Sequence, residues 1–322
     1  MLRMALAFLL GLVICLIAYP IVIPFLHKIH FGQVVRTDGP QSHIEEKSGT
    51  PTMGGVVFIL SSLIATLIVE PQAITNINLL VVLLAFVGYG LIGFIDDFLI
   101  VVKKNNEGLK PSYKFFLQSV LAIIFYLIYR NVSDSNIIVP FFHTYIDLGW
   151  FYVIVVFIMF TGESNAVNLS DGLDGLCAGL VILALIPFVY FCIRSDNMEV
   201  AIFLCAVMGS LVGYLRFNMH PAQIFMGDTG SLALGGLLAA VAMVTKEEIA
   251  LILIGGVFVI EVLSVMIQVT YFKITHGKRI FRMSPLHHHF ELGGMPEQKV
   301  VFMFWTWGAL LAILGLVMGA LY

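Results

Sequence analysis

Long apolar runs separated by short polar stretches make up most of this 322-residue chain. An α-helix needs roughly 20 residues to cross the apolar core of a bilayer, and most of the runs are near that length. The shorter runs are expected to extend into their polar flanks. The runs are Met4–Leu26, Gly55–Val69, Leu79–Ile95, Phe115–Tyr129, Leu148–Phe160, Leu176–Ile193, Val200–Leu215, Ser231–Val244, Ile249–Phe272 and Val300–Leu321. The pattern predicts an all-α polytopic membrane protein with ten transmembrane helices.

The composition excludes other classes of protein. Hydrophobic residues make up 60% of the chain and charged residues 11%, which is not typical of a soluble domain. A net charge of −3 gives no basic surface for a nucleic acid, so no nucleic-acid partner is expected. The first run lacks a small-residue cleavage site, which favours a retained first helix over a signal peptide. The cysteines lie in or beside apolar runs without metal or redox spacing, so we expect buried thiols and no disulfide. They are Cys15, Cys177, Cys192 and Cys205.

The basic residues predict the orientation of the chain, because cytoplasmic loops carry an excess of lysine and arginine. Four of the 17 basic residues fall on one side of the predicted membrane: Arg3, Arg130, Arg194 and Lys246. The rest fall on the other: Lys28, Arg36, Lys47, Lys103, Lys104, Lys110, Lys114, Arg216, Lys273, Lys278, Arg279, Arg282 and Lys299. This asymmetry places both termini outside and the loops that hold the polar clusters in the cytoplasm.

The most informative polar cluster is Asn165–Gly175, which interrupts two apolar runs with two amides and two carboxylates. Asn165, Asn168, Asp171 and Asp174 are spaced by three residues, so on a helical turn they would share one face. A solvated polar loop is the plain alternative. Unpaired polar groups at membrane depth are costly and mark functional sites, which favours the functional interpretation.

Carboxylates occur at two further points on the predicted cytoplasmic side. Asp96 and Asp97 end the third apolar run, where adjacent negative charges are tolerated if they share a cation or a proton. The alternative is a pair of acids at a helix end that face water. Asp228 lies between two glycines, as a metal or phosphate-side carboxylate could, and Phe225 nearby either stacks on a base or packs in the protein.

Three more segments suggest chemistry without defining it. Lys47–Gly55 combines lysine, threonine and glycine, which suits a phosphate site as well as it suits a plain turn. Glu261 and Gln268 are two helical turns apart and share a face. The plain interpretation is that each makes a hydrogen bond to a neighbouring helix. Three consecutive histidines, His287 to His289, cannot converge on one zinc ion, although one or two could bind phosphate or move a proton.

These segments together resemble the phospho-N-acetylmuramoyl-pentapeptide transferase family, within the wider polyprenyl-phosphate N-acetylhexosamine-1-phosphate transferases. The matching stretches are Asp38–His43, Lys47–Gly55, Asp96-Asp97, Asn165–Gly175, Arg216–Gly236 and Arg282–Glu291. The resemblance implies one transmembrane transferase domain over residues 1–322 with its active-site cleft on the cytoplasmic face of the bacterial cell membrane. It implies transfer of phospho-MurNAc-pentapeptide from UDP-MurNAc-pentapeptide to undecaprenyl phosphate, with Mg²⁺ as cofactor and UMP and lipid I as products.

The resemblance also implies roles for individual residues. The catalytic residues would be Asp96, Asp97, Asp228 and His287, with Asp228 as the magnesium ligand. The substrate pocket would hold Lys47, Thr52, Asn168, Asp171, Asp174, Asn218, Phe225, Gln268 and His288, with Phe225 beside the uracil. The chain departs from the family at Gly294-Met295, where an aromatic residue is usual near the start of the last helix.

Two other functions stay open at this stage. A sibling enzyme could use UDP-GlcNAc, but the histidine stretch and Lys47–Gly55 are typical of the muramoyl branch. A transporter would use intramembrane acids as proton relays, but here only Glu261 fits that pattern. The sequence leaves oligomeric state open, and a homodimer stays among the expected partners beside the lipid bilayer.

Overall fold

The computed structural model describes residues 1–28, 49–103, 108–140, 142 and 144–321. The first half of the chain forms α1 (Leu2–Lys28), α2 (Gly55–Val69), α3 (Ile77–Lys103), α4 (Pro111–Tyr129), β1 (Asn136–Val139), β2 (Thr144–Asp147) and α5 (Tyr152–Leu169). The second half forms α6 (Leu176–Arg194), α7 (Met198–Asn218), α8 (Gly227–Val244), α9 (Glu248–Ile254), α10 (Gly256–Ile274), α11 (Leu286–Glu291) and α12 (Glu297–Ala320). Two 3₁₀ turns, Pro71–Thr75 and Gly149–Phe151, precede α3 and α5.

Within these ranges nine helices are long and apolar enough to span a membrane. The run predicted at Gly55–Val69 forms a helix with those bounds, but its 15 residues are fewer than a typical span. The all-α polytopic class is therefore confirmed. The exact number of ten spans and the position of the termini stay predictions.

The helices continue through polar residues that the apolar pattern placed at or beyond their ends. We expected Asp96 and Asp97 at the end of a helix. They lie inside one, because α3 continues to Lys103. Similarly, α5 includes Asn165 and Asn168. A helix that ended in apolar surroundings would leave backbone N–H and C=O groups without hydrogen bonds. The helix therefore continues past a polar residue when the side chain of that residue has its own partner.

Two local features differ from the predicted pattern. The ninth apolar run was expected as one helix, but it is divided at Gly255 into α9 and α10. The strands β1 and β2 form an antiparallel hairpin that was not predicted, pairing Asn136 with Asp147 and Val139 with Thr144. Each strand has four residues, which is too short for a clear alternating pattern.

Helix α8 is the centre of the bundle, since its residues from Thr229 to Met243 are all buried. It is rich in glycine and alanine, so neighbouring helices approach closely; a Cβ on Gly235 would lie 2.5 Å from the Cα of Ser164 on α5. The four cysteines are free thiols; Cys205 is half-buried and the other three are buried. The expectation of buried thiols is confirmed for Cys15, Cys177 and Cys192 and is wrong for Cys205.

Candidate active site

Asp97 fixes the beginning of α8. Its Oδ1 accepts the backbone N–H of Asp228 at 3.0 Å, and its Oδ2 accepts the backbone N–H of Thr229 at 2.9 Å. The hydroxyl of Thr229 also donates to Oδ2, at 2.6 Å. A carboxylate suits this position because the first N–H groups of a helix lack partners and carry partial positive charge. Asp97 on α3 therefore caps α8 and places Asp228 in its first turn.

Glycines allow this close approach of α3 and α8. A Cβ on Gly93 would lie 2.0 Å from the backbone oxygen of Asp228. Gly227 has φ of +69°, and a Cβ there would lie 2.4 Å from Oδ2 of Asp97 and 2.7 Å from Oγ1 of Thr52. Thr52 and Asp97 therefore face the same small volume beside Asp228, as the resemblance implied for a shared site.

Both oxygens of Asp228 have charged or polar partners. Oδ1 accepts a hydrogen bond from the Asn168 amide at 2.7 Å, and Oδ2 forms an ion pair with the Lys114 ammonium. Lys114 also lies 3.7 Å from Oδ2 of Asp96, whose Oδ1 accepts the backbone N–H of Leu109 at 2.6 Å. Lys114 on α4 thus bridges two of the predicted catalytic carboxylates.

Sequence reasoning did not assign Lys114 to the site. In the sequence, this lysine contributes only to the charge asymmetry that predicts the orientation of the chain. The one signal in the sequence was a lysine beside the start of an apolar run, which by itself is a common membrane-interface pattern.

The carboxylate cluster fits a divalent cation. Mg²⁺ prefers carboxylate oxygens, and Asp228 and Asp96 present theirs to the same ammonium group. That ammonium shows that a positive charge is accommodated between the two side chains. Asp228, with Asp96 beside it, would therefore hold the ion.

A second group of possible metal ligands lies apart from this cluster. Oxygen and nitrogen atoms of Asp174, His220 and Glu297 lie within 4.8 Å of one another. However, Oδ2 of Asp174 accepts the backbone N–H of Ala222 at 3.0 Å, and Oε1 of Glu297 accepts that of Asp174 at 2.7 Å. These contacts tie the turn after α5 to the loop after α7 and to the beginning of α12, so we assign the group a structural role.

The segment Asn165–Gly175 reaches three different partners. The Asn165 amide donates to Oε1 of Gln118 at 2.9 Å, Asn168 contacts Asp228, and Asp174 lies 3.2 Å from Nδ1 of His220. The expectation that these side chains share one face is therefore wrong. The reason is that α5 ends at Leu169 and the chain turns before α6 begins.

The end of that turn is held by Asn218. Its Oδ1 accepts the backbone N–H of Gly175 at 2.9 Å, and its amide donates to the backbone oxygen of Ile224 at 2.9 Å. Asn218 thus connects the turn after α5 with the loop that leads to Asp228. Asp171, half-buried, lies within the same turn.

The three histidines of α11 point to different partners, as their adjacency predicted. Nδ1 of His287 lies 3.3 Å from Oε2 of Glu261, and Nδ1 of His288 lies 3.1 Å from Oε2 of Glu291. Nδ1 of His289 accepts the backbone N–H of Arg282 at 3.1 Å. His287 is buried and its Nε2 faces Gly172, where a Cβ would come within 2.3 Å.

Gln268 and Glu261 contact the loop and helix after α10, which confirms that they share a face. Oε1 of Gln268 accepts the backbone N–H groups of Ile280 and Phe281, each at 3.0 Å. Its amide donates to the backbone oxygen of Phe281 at 2.9 Å. Gln268 is therefore occupied by the backbone, and the structure does not bring it into the carboxylate cluster.

The described part of Lys47–Gly55 packs beside the loop that carries Phe225. The backbone N–H of Phe225 donates to Pro51 at 2.9 Å, and that of Gly54 donates to the oxygen of Phe225 at 2.8 Å. Phe225 is half-buried and Thr52 is buried. Lys47, like Asp38–His43, lies outside the described residues.

Acids on two apolar helices, with Lys114 and the Asn168 amide around them, suit a class of membrane transferase that handles phosphate groups. Comparison with known proteins agrees with this class: the glycosyl transferase family 4 model matches residues 79–246. Signature 1 of phospho-N-acetylmuramoyl-pentapeptide-transferase matches residues 47–59.

Relatives over nearly the whole chain define the family more closely. A protein from Bacillus subtilis named phospho-N-acetylmuramoyl-pentapeptide-transferase is 52% identical over 311 residues, covering 96% of this chain and 95% of its own. A protein of the same name from Halalkalibacterium halodurans is 52% identical, covering 97% of this chain and 96% of its own. Another from Bacillus velezensis is 53% identical, covering 95% of each chain. The chain belongs to the phospho-N-acetylmuramoyl-pentapeptide transferase family.

Proposed function

We propose that this protein transfers phospho-MurNAc-pentapeptide from UDP-MurNAc-pentapeptide to undecaprenyl phosphate, forming lipid I and UMP. The observation that carries the proposal is the 52% identity, over 96% of this chain, to a relative with that transferase name. The site would face the cytoplasm of a bacterial cell, where the nucleotide donor is made. A single domain over residues 1–322, active as a homodimer, is part of the proposal.

The carboxylate cluster supports this reaction by its charge. The donor carries a pyrophosphate, and negative charge develops on the UMP leaving group. Asp228 and Asp96 would hold Mg²⁺, which neutralises that charge when bound. Lys114 already pairs with both carboxylates, so it would be released toward phosphate oxygens when the ion and the donor bind. Asn168 keeps the Asp228 carboxylate in one orientation through its 2.7 Å hydrogen bond.

The contacts of Asp97 favour a single displacement in which the lipid phosphate attacks the donor directly. Both oxygens of Asp97 accept hydrogen bonds from the first turn of α8, so the carboxylate is engaged as a cap. To act as a nucleophile, Asp97 would have to give up these three hydrogen bonds in order to reach the donor phosphorus. The acceptor, a phosphate monoester with a second pKa of about 6, is already largely dianionic near neutral pH.

An isotope-exchange experiment tests the single displacement. Purified enzyme stripped of undecaprenyl phosphate is incubated with UDP-MurNAc-pentapeptide and labelled UMP. A direct transfer gives no label in the donor, because without the lipid no half-reaction occurs. Robust exchange that disappears in Asp97→Asn would instead establish a covalent phosphoryl-enzyme route.

A substrate comparison tests the reaction itself. Purified protein is given undecaprenyl phosphate with either UDP-MurNAc-pentapeptide or UDP-GlcNAc, and UMP release is measured. We expect lipid-dependent release with the muramoyl donor alone. Release with UDP-GlcNAc alone would assign the chain to the sibling activity, and the reaction without lipid serves as the blank.

A further inference from the structure

Glu261 on α10 and His287 on α11 are both completely buried. A buried carboxylate is costly unless nearby donors compensate its charge. The sequence offered only a helix–helix hydrogen bond as the role of Glu261. Its contacts in the structure point to a more specific role.

Glu261 is oriented by the backbone at the beginning of α11. Its Oε2 accepts the N–H of Leu286 at 2.7 Å, and its Oε1 accepts the N–H of His287 at 3.2 Å. The same Oε2 lies 3.3 Å from Nδ1 of the His287 ring. A small rotation of the ring would align an N–H on Nδ1 with this oxygen, and such contacts commonly tighten when substrate binds.

The opposite ring nitrogen faces the active-site turn. Within the described part of the chain, both ring nitrogens of His287 are buried and neither makes a hydrogen bond of normal geometry, so Nδ1 has only the 3.3 Å approach to Glu261 and Nε2 has no partner. It lies against Gly172, whose missing side chain leaves room for it. That turn follows the last residues of α5, where the backbone oxygen of Asn168 accepts the N–H of Asp171 at 3.2 Å and the Asn168 amide binds Asp228. His287 therefore presents an unused nitrogen one turn away from the carboxylate cluster.

The geometry points to Glu261 as a positioning residue that sets the tautomer of His287. The carboxylate accepts the proton on Nδ1, which leaves the lone pair on Nε2 for a donor group of the bound substrate beside Gly172. The assignment deepens the proposed function, because it gives His287 its role in that reaction. The logic is that of a buried acid that orients a histidine and fixes which nitrogen is protonated.

Glu261→Gln separates this role from simple capping of α11. The glutamine oxygen can still accept a backbone N–H of α11, so one cap contact survives. An NH₂ group that faces Nδ1 can only donate, and an amide oxygen that faces Nδ1 is an uncharged and weaker acceptor than the carboxylate. In either orientation the variant weakens the preference for a proton on Nδ1. Glu261→Asp keeps the negative charge and therefore keeps the proton on Nδ1.

Nitrogen NMR reports the tautomer without reference to catalysis. The protein is labelled with ¹⁵N-histidine, and the His287 signals among the nine histidines are assigned by their loss in His287→Gln. We expect a protonated Nδ1 and an unprotonated Nε2 in the wild type and in Glu261→Asp, and a shift of the tautomer equilibrium toward a protonated Nε2 in Glu261→Gln. A wild-type ring protonated on Nε2, or a ring unchanged by Glu261→Gln, would overturn the assignment.

Kinetics test whether the tautomer matters for turnover. We expect Glu261→Gln to lower kcat on the order of 100-fold or more with little change in the KM of the donor, and Glu261→Asp to recover most of the loss. Equal kcat values for a flipped and an unflipped ring would reject the role in catalysis. If the protein makes no lipid I at all, the proposed function fails while the NMR result still decides the tautomer.

Glu163→Gln is the matched control. Glu163 on α5 is also a buried carboxylate, and its Oε1 has no hydrogen-bond partner in the described ranges. The Oε1 atom of Glu163 lies beside Gly255, and within the described residues no contact joins Glu163 to a histidine. We expect unchanged His287 signals and a kcat within a few-fold of wild type.

Discussion

Lys114 contacts Asp96 and Asp228, the two carboxylates that we propose to hold the metal ion, so removing its single positive charge should impair the site. We expect Lys114→Met to lower kcat on the order of 100-fold or more, because a preorganised cation in a dry site stabilises developing negative charge. UMP release from the purified variant measures this. Lys110→Met, one helical turn earlier and exposed, is the control and should keep near-normal turnover. Equal activity of the two variants would remove Lys114 from the active site.

Asp228 is the residue on which metal binding is proposed to depend. Asp228→Asn keeps the shape of the side chain and removes its charge, so kcat should fall by about 100-fold or more, and added Mg²⁺ should restore little of it. Turnover is measured across a magnesium titration. Asp196→Asn, an exposed position after α6, should behave like wild type. A variant of Asp228 within a few-fold of wild type would exclude it as the metal ligand.

The identities of the carboxylates could be predicted from sequence, but their partners could not. Asp96, Asp97 and Asp228 stand out because charges are rare near apolar runs. The cap that Asp97 provides to α8 depends on the close approach of two helices at Gly93, which no local pattern encodes. Lys114 was missed for the same reason, since only the packing of α4 brings it to Asp228.

At the scale of helices, the contact between α3 and α8 should be highly sensitive to an added methyl group. A Cβ on Gly93 would meet backbone atoms of Asp228 and Thr229 at 2.0 to 2.5 Å, and backbone cannot move aside like a flexible side chain. We expect Gly93→Ala to lower the unfolding free energy by about 1–3 kcal/mol or more and to reduce activity. Thermal unfolding in detergent measures this.

Gly162→Ala is the matched control for that prediction. Gly162 is also within a helix, α5, and a Cβ there would meet nothing within 4 Å. The added methyl group should leave the melting temperature unchanged or slightly raised, because alanine favours helix more than glycine does. A similar loss in both variants would show that helix propensity, and not the contact with α8, determines the effect.

The elements themselves were largely predictable, because the apolar runs follow the requirement for a span. Departures occur where tertiary contacts decide. The break between α9 and α10 falls at Gly255, and the hairpin of β1 and β2 is too short to show a period. Asp171 and Asp174 do not continue the helical face of Asn165 and Asn168 because α5 ends at Leu169.

At the scale of the whole molecule, stability should depend on pH through Glu247, in the connection between α8 and α9. Burial raises the pKa of Glu247 from 4.5 to about 7, although Arg194 lowers it and Glu248 raises it further. The folded protein then binds more protons than the unfolded chain between these values, so the unfolding free energy falls as pH rises through that window. The loss is at most about 3 kcal/mol.

Melting temperatures at pH 5 and pH 8 check this prediction. We expect a lower melting temperature at pH 8 in the wild type and a smaller difference in Glu247→Gln, which cannot ionise. Asp196→Asn, exposed on the loop after α6, should retain the wild-type difference. An identical pH dependence in wild type and Glu247→Gln would contradict the linkage to this side chain.

The orientation of the whole bundle is the remaining expectation from the basic residues, and labelling of introduced cysteines tests it. Lys278, exposed between α10 and α11, lies at the end that carries the active site, whereas Tyr145 on β2 is 63% exposed at the opposite end. The native thiols give little background, since three are buried and one is half-buried.

We expect an impermeant maleimide to label Tyr145→Cys in intact cells and Lys278→Cys only after the membrane is opened. The physical reason is that lysine and arginine flank the active-site end in excess and are retained in the cytoplasm during insertion. Labelling of Lys278→Cys from outside would reverse the orientation, and a nucleotide donor made in the cytoplasm could then not reach the carboxylate cluster.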